Sequence, residues 1–175
     1  MTPSDWSVRL AHPEDAEAFA EVEGDALRSL RDAPSLAEHT LPPPRSADEY
    51  RAIIAQRQSL SVLSEERILG FAAARPAGRA LHLHQISVAR AFQRNGIGAT
   101  LLRALQIDAR NAGFAAITLH TFRAIAWNAP FFAGHGFEEV ADLSAHPRLA
   151  AGQDAAVREG LPEDMRCAMI CQIDR

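Results

Sequence analysis

A glycine-punctuated turn at residues 93–100 most constrains how this chain can fold. Residues 81–88 before it are predicted as a strand, and residues 97–107 after it repeat apolar side chains at helical spacing. The first N–H groups of a helix have no intrahelical partner and lie at the positive end of its dipole. Gly96 and Gly98 lack a Cβ, so a phosphate oxygen can approach the backbone closely. The pattern predicts a pyrophosphate-bearing cofactor at the turn, whose residues are Gln93, Arg94, Asn95, Gly96, Ile97, Gly98, Ala99 and Thr100.

The turn lacks the features of two other nucleotide-binding motifs. A P-loop ends in Gly-Lys-Ser/Thr, and a dinucleotide fingerprint has a third Gly or Ala and an acidic residue about 20 positions further on. Here Leu101 takes the place of the third small residue, and the next predicted strand, residues 115–120, has no acid at its end. A nicotinamide-dependent oxidoreductase is therefore disfavoured.

Two sequence blocks resemble those of the GNAT N-acetyltransferases. The family's acetyl-CoA signature is Gln/Arg-x-x-Gly-x-Gly/Ala after a strand ending in valine, and here Gln93-Arg94-Asn95-Gly96-Ile97-Gly98 follows Ile86-Ser87-Val88. Residues 128–137, Asn-Ala-Pro-Phe-Phe-Ala-Gly-His-Gly-Phe, are similar to the family's later Asn-x-x-x-(Phe/Leu)-Tyr-x-x-x-Gly-Phe block. The blocks lie about 35 residues apart, in the order that the family shows.

The resemblance implies acetyl-CoA as the cosubstrate and assigns residues to it. Backbone groups of Ile86, Ser87 and Val88 would hold the pantetheine arm, and the N–H groups of residues 94–99 would hold the pyrophosphate. Asn128 resembles the asparagine that hydrogen-bonds the arm, although a helix N-cap is another role for asparagine at this place. Phe131 and Phe132 could pack on the pantetheine, with an ordinary core position as the equal alternative for Phe131.

The resemblance also implies the GNAT fold, an α/β (α+β mixed) architecture with a mixed central β-sheet and helices on both faces. We expect one domain over residues 1–175, with the resemblance weakest over residues 32–45 and 144–162. Apolar periodicity, caps and turn residues predict the element order β-α-α-β-β-β-α-β-α-β-β. The predicted strands are residues 7–11, 60–64, 68–75, 81–88, 115–120, 137–142 and 165–173, and the predicted helices are residues 13–31, 46–58, 97–111 and 128–133, with 144–159 partly helical.

Composition narrows the functional classes further. A net charge of −4 without any basic run argues against a nucleic-acid partner. No apolar stretch approaches the ~20 residues that span a membrane, and residues 1–10 lack a signal core, so we expect a cytoplasmic protein. Cys167 and Cys171 lie roughly 13 Å apart in a predicted strand, too far for a disulfide, and are expected as buried small side chains. No metal site is predicted, and a homodimer is compatible with the sequence.

The residues that would handle protons depart from the family pattern. Acetyl transfer to an amine needs a group that accepts the ammonium proton and a way to stabilise the leaving thiolate. Many family members carry tyrosine four residues before the glycine of the Gly-Phe pair, where this chain has Phe132. The only tyrosine, Tyr50, lies in the second predicted helix. The general acid is therefore missing, replaced or dispensable.

The candidate catalytic bases are His82 and His84, which alternate along a predicted strand and so share one face. Two hydrogen-bonded or solvated strand histidines are the equal alternative. Gln85 lies near the position where many members carry a glutamate, and glutamine cannot act as a base. Glu21 and Glu23 on the first predicted helix could face the acceptor instead, although a solvated helix face is favoured for both. His120 and His135 are expected to be structural.

The sequence thus predicts an acetyl-CoA-dependent N-acetyltransferase that transfers the acetyl group directly to a primary amine, on a small molecule or as an exposed amino group of a peptide. The alternative is a catalytically degenerate GNAT-fold protein that binds CoA as a sensor, and Phe132 is its support. Residues 27–45, which would shape the acceptor pocket, lie where the family varies most, so the sequence does not predict the acceptor.

Overall fold

A seven-stranded mixed sheet organises residues 5–173, the part of the chain that the computed structural model describes. The sheet order is β1-β2-β3-β4-β5-β7-β6. Strands β4 and β5 run parallel, and the other neighbouring strands run antiparallel. The strands are β1 (Ser7–Leu10), β2 (Leu60–Ser64), β3 (Arg67–Ala77), β4 (Ala80–Val88), β5 (Ala116–Phe122), β6 (Glu138–Glu139) and β7 (Arg166–Gln172).

Five α-helices cover the two faces of the sheet. They are α1 (Ala16–Arg31), α2 (Ala47–Ile54), α3 (Ile97–Asn111), α4 (Ala129–Ala133) and α5 (Pro147–Arg158). Helix α2 begins with the predicted capping box, in which Ser46 and Glu49 satisfy each other's backbone N–H groups. None of the helices within residues 5–173 is long and apolar enough to cross a bilayer.

Two core clusters place the helices on opposite faces. On one face, α3 packs Leu101 and Leu105 against strand residues that include Leu81 and Ile117. On the other face, Phe19 of α1 and Tyr50 of α2 pack against Phe71 of β3. Helix α5 contacts β5 and β7. The predicted mixed sheet with helices on both faces is confirmed.

The predicted element bounds differ from the structure in a few places. Strand β6 is confined to two residues rather than residues 137–142, and the chain then turns at Asp142, whose side chain accepts a hydrogen bond from Ser144 N. Helix α2 ends at Ile54 rather than near residue 58. The expected burial of Cys167 and Cys171 is confirmed.

Strands β4 and β5 separate part-way along their length. They pair only from Ala80 to Leu83 on β4, opposite Ala116 to Leu119 on β5. Residues 85–88 of β4 keep their ladder with β3, but no strand within residues 5–173 pairs with residues 84–88 on the β5 side. Backbone N–H and C=O groups along this free edge are therefore available to another extended chain.

A β-bulge interrupts β4 at the point of separation. In the ladder with β3, Leu83 pairs with Ala74 and Gln85 pairs with Ala73, which leaves His84 as an extra residue. Before the bulge Leu81 packs into the α3 core, and after it Ile86 and Val88 do. Because the alternation shifts by one residue, His84 and Gln85 both turn toward the opposite face of the sheet.

Candidate active site

One continuous cleft of about 2310 Å³ opens where β4 and β5 separate. One part of it, which we call the turn end, is lined by residues 86–88, by the glycine-containing turn before α3 and by α4. The other part, the histidine end, is lined by His82, His84 and His120, together with residues 40–45 and residues of α5. Two chemically different surfaces of the sheet therefore line a single cleft.

The turn before α3 presents unpaired backbone donors to the turn end. Gly96 is the N-cap residue, with φ +78°, in the left-handed region that glycine adopts readily. The first helical N–H with an intrahelical acceptor belongs to Thr100, which donates to Gly96 O at 3.0 Å. The N–H groups of Ile97, Gly98 and Ala99 are thus free for an anion. This geometry fits a pyrophosphate, as the sequence predicts.

Side chains of the turn hold it against the end of β4. Gln93 donates from Nε2 to Val88 O at 2.9 Å, and Asn95 donates from Nδ2 to Phe92 O at 3.2 Å. Of the turn residues expected at the cofactor, the structure places all but Asn95 and Thr100 at the cleft. Asn95 shapes the turn by bonding its carbonyls, and Thr100 lies one turn into α3, beyond the cleft lining.

Helix α4 forms the opposite wall of the turn end. Asn128 occupies its N-cap position, but its side chain makes no capping hydrogen bond. Instead, Asn128 Oδ1 accepts a hydrogen bond of 2.9 Å from Thr121 Oγ1. This contact with β5 fixes the orientation of the Asn128 amide. The N-cap alternative for this side chain is therefore wrong. Phe131 also lines the cleft, and a Cβ on Gly98 would lie 3.7 Å from its Cζ atom.

No tyrosine stands at the turn end. Phe132 is buried, with its ring centroid 5.3 Å from that of Phe131 and 5.6 Å from that of Phe137. Tyr50 is fully buried beneath α1 and donates its hydroxyl to Glu23 Oε2 at 2.7 Å. It does not line the cleft, so Tyr50 does not replace the missing acid.

Three histidines cluster at the histidine end. The ring centroid of His82 lies 4.7 Å from that of His84 and 5.5 Å from that of His120. His82 Nδ1 and Thr118 Oγ1 are 2.9 Å apart, and His120 donates from Nε2 to Leu149 O at 2.9 Å. His120, expected to be purely structural, is thus part of the cleft. His135 donates to Phe131 O at 2.8 Å and supports α4, as expected for a structural histidine.

Burial makes the cluster electrically neutral. Loss of solvent lowers the pKa of His82 to about 3 and that of His84 to about 4, with neighbouring histidines and arginines adding to the effect. Burial also lowers the pKa of His120. A limb near pH 6 to 7 in the activity profile, which free histidine would predict, is therefore not expected from His82 or His84. Both are uncharged, with an unprotonated ring nitrogen, at neutral pH.

Comparison with known proteins agrees with this geometry. A family model described as the Acetyltransferase (GNAT) family matches residues 25–137, more than half of the chain. The chain belongs to this family. Its structure is similar to that of the ribosomal-protein-S18-alanine N-acetyltransferase from Escherichia coli, with 17% identity, a TM-score of 0.70, and 97% of this chain and 95% of that chain covered.

Two other structures similar to this GNAT protein were solved with cofactor. The PaiA N-acetyltransferase from Thermoplasma acidophilum, in complex with coenzyme A, shares 14% identity and a TM-score of 0.67 over 95% of this chain and 98% of that chain. A GNAT family acetyltransferase from Brucella melitensis, in complex with acetyl-CoA, shares 22% identity and a TM-score of 0.56 over 76% and 82%. At these low sequence identities, the similarity to the three solved structures establishes a shared fold alone.

Glu23 lines the cleft of this GNAT protein, although the sequence favours a solvated helix face for it over a position facing the acceptor. Glu21 is exposed as expected, but Glu23 is only 5% exposed and lines the cleft, so a solvated helix face is wrong for it. Its Oε2 accepts hydrogen bonds from Tyr50 Oη at 2.7 Å and Arg45 N at 2.8 Å. Burial raises the pKa of Glu23. The sequence did contain a signal for this burial, because Glu23 lies four residues after Phe19 on α1 and therefore shares its buried face.

Proposed function

We propose that this GNAT protein transfers the acetyl group of acetyl-CoA directly to a primary amine. The observation that carries the proposal is the shared position of two features at the turn end. The free edge of β4 offers backbone hydrogen bonds to an extended amide-containing arm, and the α3 N-terminus beside it offers three unpaired N–H groups to an anion. Pantetheine and pyrophosphate occur in that order in acetyl-CoA.

The cosubstrate is held by the residues that line the turn end. Backbone groups of Ile86, Ser87 and Val88 take the pantetheine arm as an added strand. The turn binds the pyrophosphate with the N–H groups of residues 97–99, and the exposed side chain of Arg94 adds a positive charge. Asn128 uses Nδ2, because Oδ1 is engaged by Thr121.

The reaction needs little beyond correct placement of the amine. As the amine nitrogen bonds to the acetyl carbon, the C–S bond breaks, the nitrogen loses a proton and CoA leaves as a thiolate that takes up a proton. Positioning provides much of the rate, because the thioester is already activated. His82 and His84 are neutral and can accept a hydrogen bond or a proton from the amine, directly or through a water molecule.

Departure of the thiolate does not require a tyrosine. A thiol has a pKa of about 8 to 9, so its anion is stable enough to leave without prior protonation. The aromatic packing of Phe132 with Phe131 and Phe137 then serves to wall the turn end. The same substitution is what favours the second candidate, a protein that binds CoA without turnover.

Thiol release from acetyl-CoA with a panel of primary amines tests the proposal, with mass spectrometry of the products. We expect amine-dependent thiol release and an acetylated product from at least one amine class. Tight CoA binding in calorimetry, combined with no release above that of protein-free controls for any amine, would instead support the sensor.

A further inference from the structure

We infer that the acetyl acceptor carries a carboxylate in addition to its amine, and that the guanidinium of Arg166 binds it. The inference rests on the proposed acetyl transfer and names the substrate class of the same site. Its basis is an arginine in the cleft wall whose charge has no anionic partner among the residues that the structure describes.

Arg166 lies on the same sheet face as the histidines. It is the first residue of β7 and pairs in register with Phe122 of β5, whose ring its guanidinium carbon covers at 4.9 Å from the centroid. Two residues before Phe122 on that strand is His120, and side chains two apart share a face. Arg166 also lines the cleft. A group bound by this arginine would therefore lie beside the histidine end.

The guanidinium of Arg166 has no anionic partner within residues 5–173. No carboxylate oxygen lies within the 4.0 Å that defines an ion pair, and its Nε is buried without a hydrogen-bond acceptor. By contrast, Arg9 pairs with Asp15 and Arg123 pairs with Glu139. A partly buried charge without a partner destabilises a fold, which favours a ligand anion as the missing partner.

The charge balance around the histidines points the same way. Arg45 and Arg75 also line this end of the cleft, and the histidines are neutral. The buried carboxylate present, Glu23, is already engaged by Tyr50 and Arg45. Glu159 reaches the cleft from an exposed position after α5 and forms no ion pair with Arg166. The surface therefore attracts an anion.

A carboxylate is the anion that matches best. A planar guanidinium binds both carboxylates and phosphates through two parallel N–H bonds. One carboxylate neutralises the single charge of Arg166, the partly buried cation at this end without an ion pair, whereas a phosphate would bring nearly two negative charges against it. The amine of such an acceptor would face the free end of β4 while its carboxylate lies against Arg166.

The experiment compares a series of ω-amino acids, from glycine to 6-aminohexanoate, with alkylamines of the same chain length and with a phosphorylated amine. Each is tested on the wild-type protein, on Arg166→Met and on Arg166→Lys. Methionine keeps a chain over the Phe122 ring but removes the charge. Arg103→Met is the matched control, because Arg103 is exposed on α3, on the opposite face.

We expect an ω-amino acid of one length to be acetylated with a kcat/KM at least about 10-fold above its alkylamine. Arg166→Met should reduce that kcat/KM about 10- to 100-fold, while the alkylamine rates and the KM for acetyl-CoA change less than about threefold. Arg103→Met should change neither. Arg166→Lys should fall between wild type and Arg166→Met, because it keeps the charge but loses the planar fork.

Equal rates for amino acids and alkylamines, or equal losses for both in Arg166→Met, would overturn the inference and leave acetyl transfer intact. Preference for the phosphorylated amine would also overturn it. A binding measurement decides the case in which no acceptor is acetylated. A rise in Tm of the CoA-bound wild type with an ω-amino acid, absent in Arg166→Met, would support the carboxylate site, and no rise in either protein would refute it.

Discussion

Gly152 of α5 lies directly over the imidazole of His120, so close that a Cβ on Gly152 would stand 2.4 Å from His120 Cε1. The imidazole cannot move freely, because it donates to Leu149 O in the preceding turn of α5 and contacts the ring of His82. Glycine at this position therefore allows α5 to cover the histidine end. The order of the histidine cluster depends on this contact.

Gly152→Ala should disturb the histidine end through this contact. The added methyl must displace the His120 ring and with it His82, so we expect a higher KM for the amine with little change in the KM for acetyl-CoA. In a His120→Ala background the clash is gone, and alanine should then stabilise α5 by up to about 1 kcal/mol relative to glycine. Steady-state kinetics and thermal unfolding of the four proteins measure this coupling. Equal effects of Gly152→Ala in both backgrounds would contradict it.

Gly96→Glu should weaken acetyl-CoA binding. The left-handed backbone at φ +78° makes any side chain there cost about 1–2 kcal/mol, and the carboxylate would repel the pyrophosphate. Gly113→Glu is the matched control, since Gly113 has φ +82°, open space for a Cβ and a position after the other end of α3. We expect similar losses of stability in both variants, but at least a tenfold loss of CoA affinity in calorimetry only for Gly96→Glu. Unchanged CoA affinity in Gly96→Glu would show that the pyrophosphate does not bind at this turn.

Phe132→Tyr should leave the rate of acetyl transfer within a few-fold of wild type, because the thiolate leaves without an acid. Phe137→Tyr serves as the control for burial of a new hydroxyl, since both rings are at most 5% exposed. Each variant should lose about 1–3 kcal/mol of stability. Thiol-release kinetics provide the measurement. An increase approaching the ~100-fold typical of general acid catalysis, confined to Phe132→Tyr, would mean that the wild type lacks an acid it needs.

The buried histidines predict a loss of stability in mild acid. Because the folded pKa values of His82 and His84, about 3 and 4, lie below the 6.5 of the unfolded chain, the unfolded state binds more protons between those values. The free energy of unfolding therefore carries no penalty from these histidines above about pH 6.5. It declines as the pH falls from 6.5 toward the folded pKa values. His82→Gln and His84→Gln should each flatten the fall in unfolding free energy measured by denaturant titration between pH 6.5 and 4. An unchanged slope in both would show that neither histidine is buried neutral.

The same variants test proton removal from the amine. If one histidine accepts this proton, its glutamine variant should lower kcat/KM roughly 100-fold while acetyl-CoA affinity stays nearly constant. The wild-type profile of kcat/KM should show no histidine limb near pH 6 to 7. Full activity in both variants would mean that a water molecule or another group accepts the proton from the amine.

Features of the fold that depend on adjacent residues could be predicted from the sequence. The capping box of Ser46 and Glu49 joins residues three apart, and the turn at Gly96 needs only a glycine before an apolar-periodic helix. The two sequence blocks likewise located the free end of β4 and α4. These motifs bring most of the turn end together without information from distant residues.

The histidine end depends on contacts that sequence patterns do not contain. Glu23 is buried because Tyr50 and Arg45, 27 and 22 residues further on, both donate to it. Strand alternation placed His82 and His84 on one face, but the bulge that brings Gln85 to the same face has no sequence signature. The unpaired charge of Arg166 follows from what its neighbours lack, which is visible only after the strands are assembled.

The extra residue at His84 affects how the acceptor preference of this GNAT protein can change during evolution. Substitutions at His82 and His84 can remodel the wall that we propose to meet the amine, while the backbone edge at residues 86–88 stays in place. Deletion of His84 would remove the bulge, and Leu83, Gln85 and Ile86 would then follow the regular alternation of a strand, so Ile86 and Val88 would stay in the α3 core. We therefore expect acceptor preference to drift by side-chain replacement or by loss of one residue at this position, because neither change moves Ile86 and Val88 out of the α3 core.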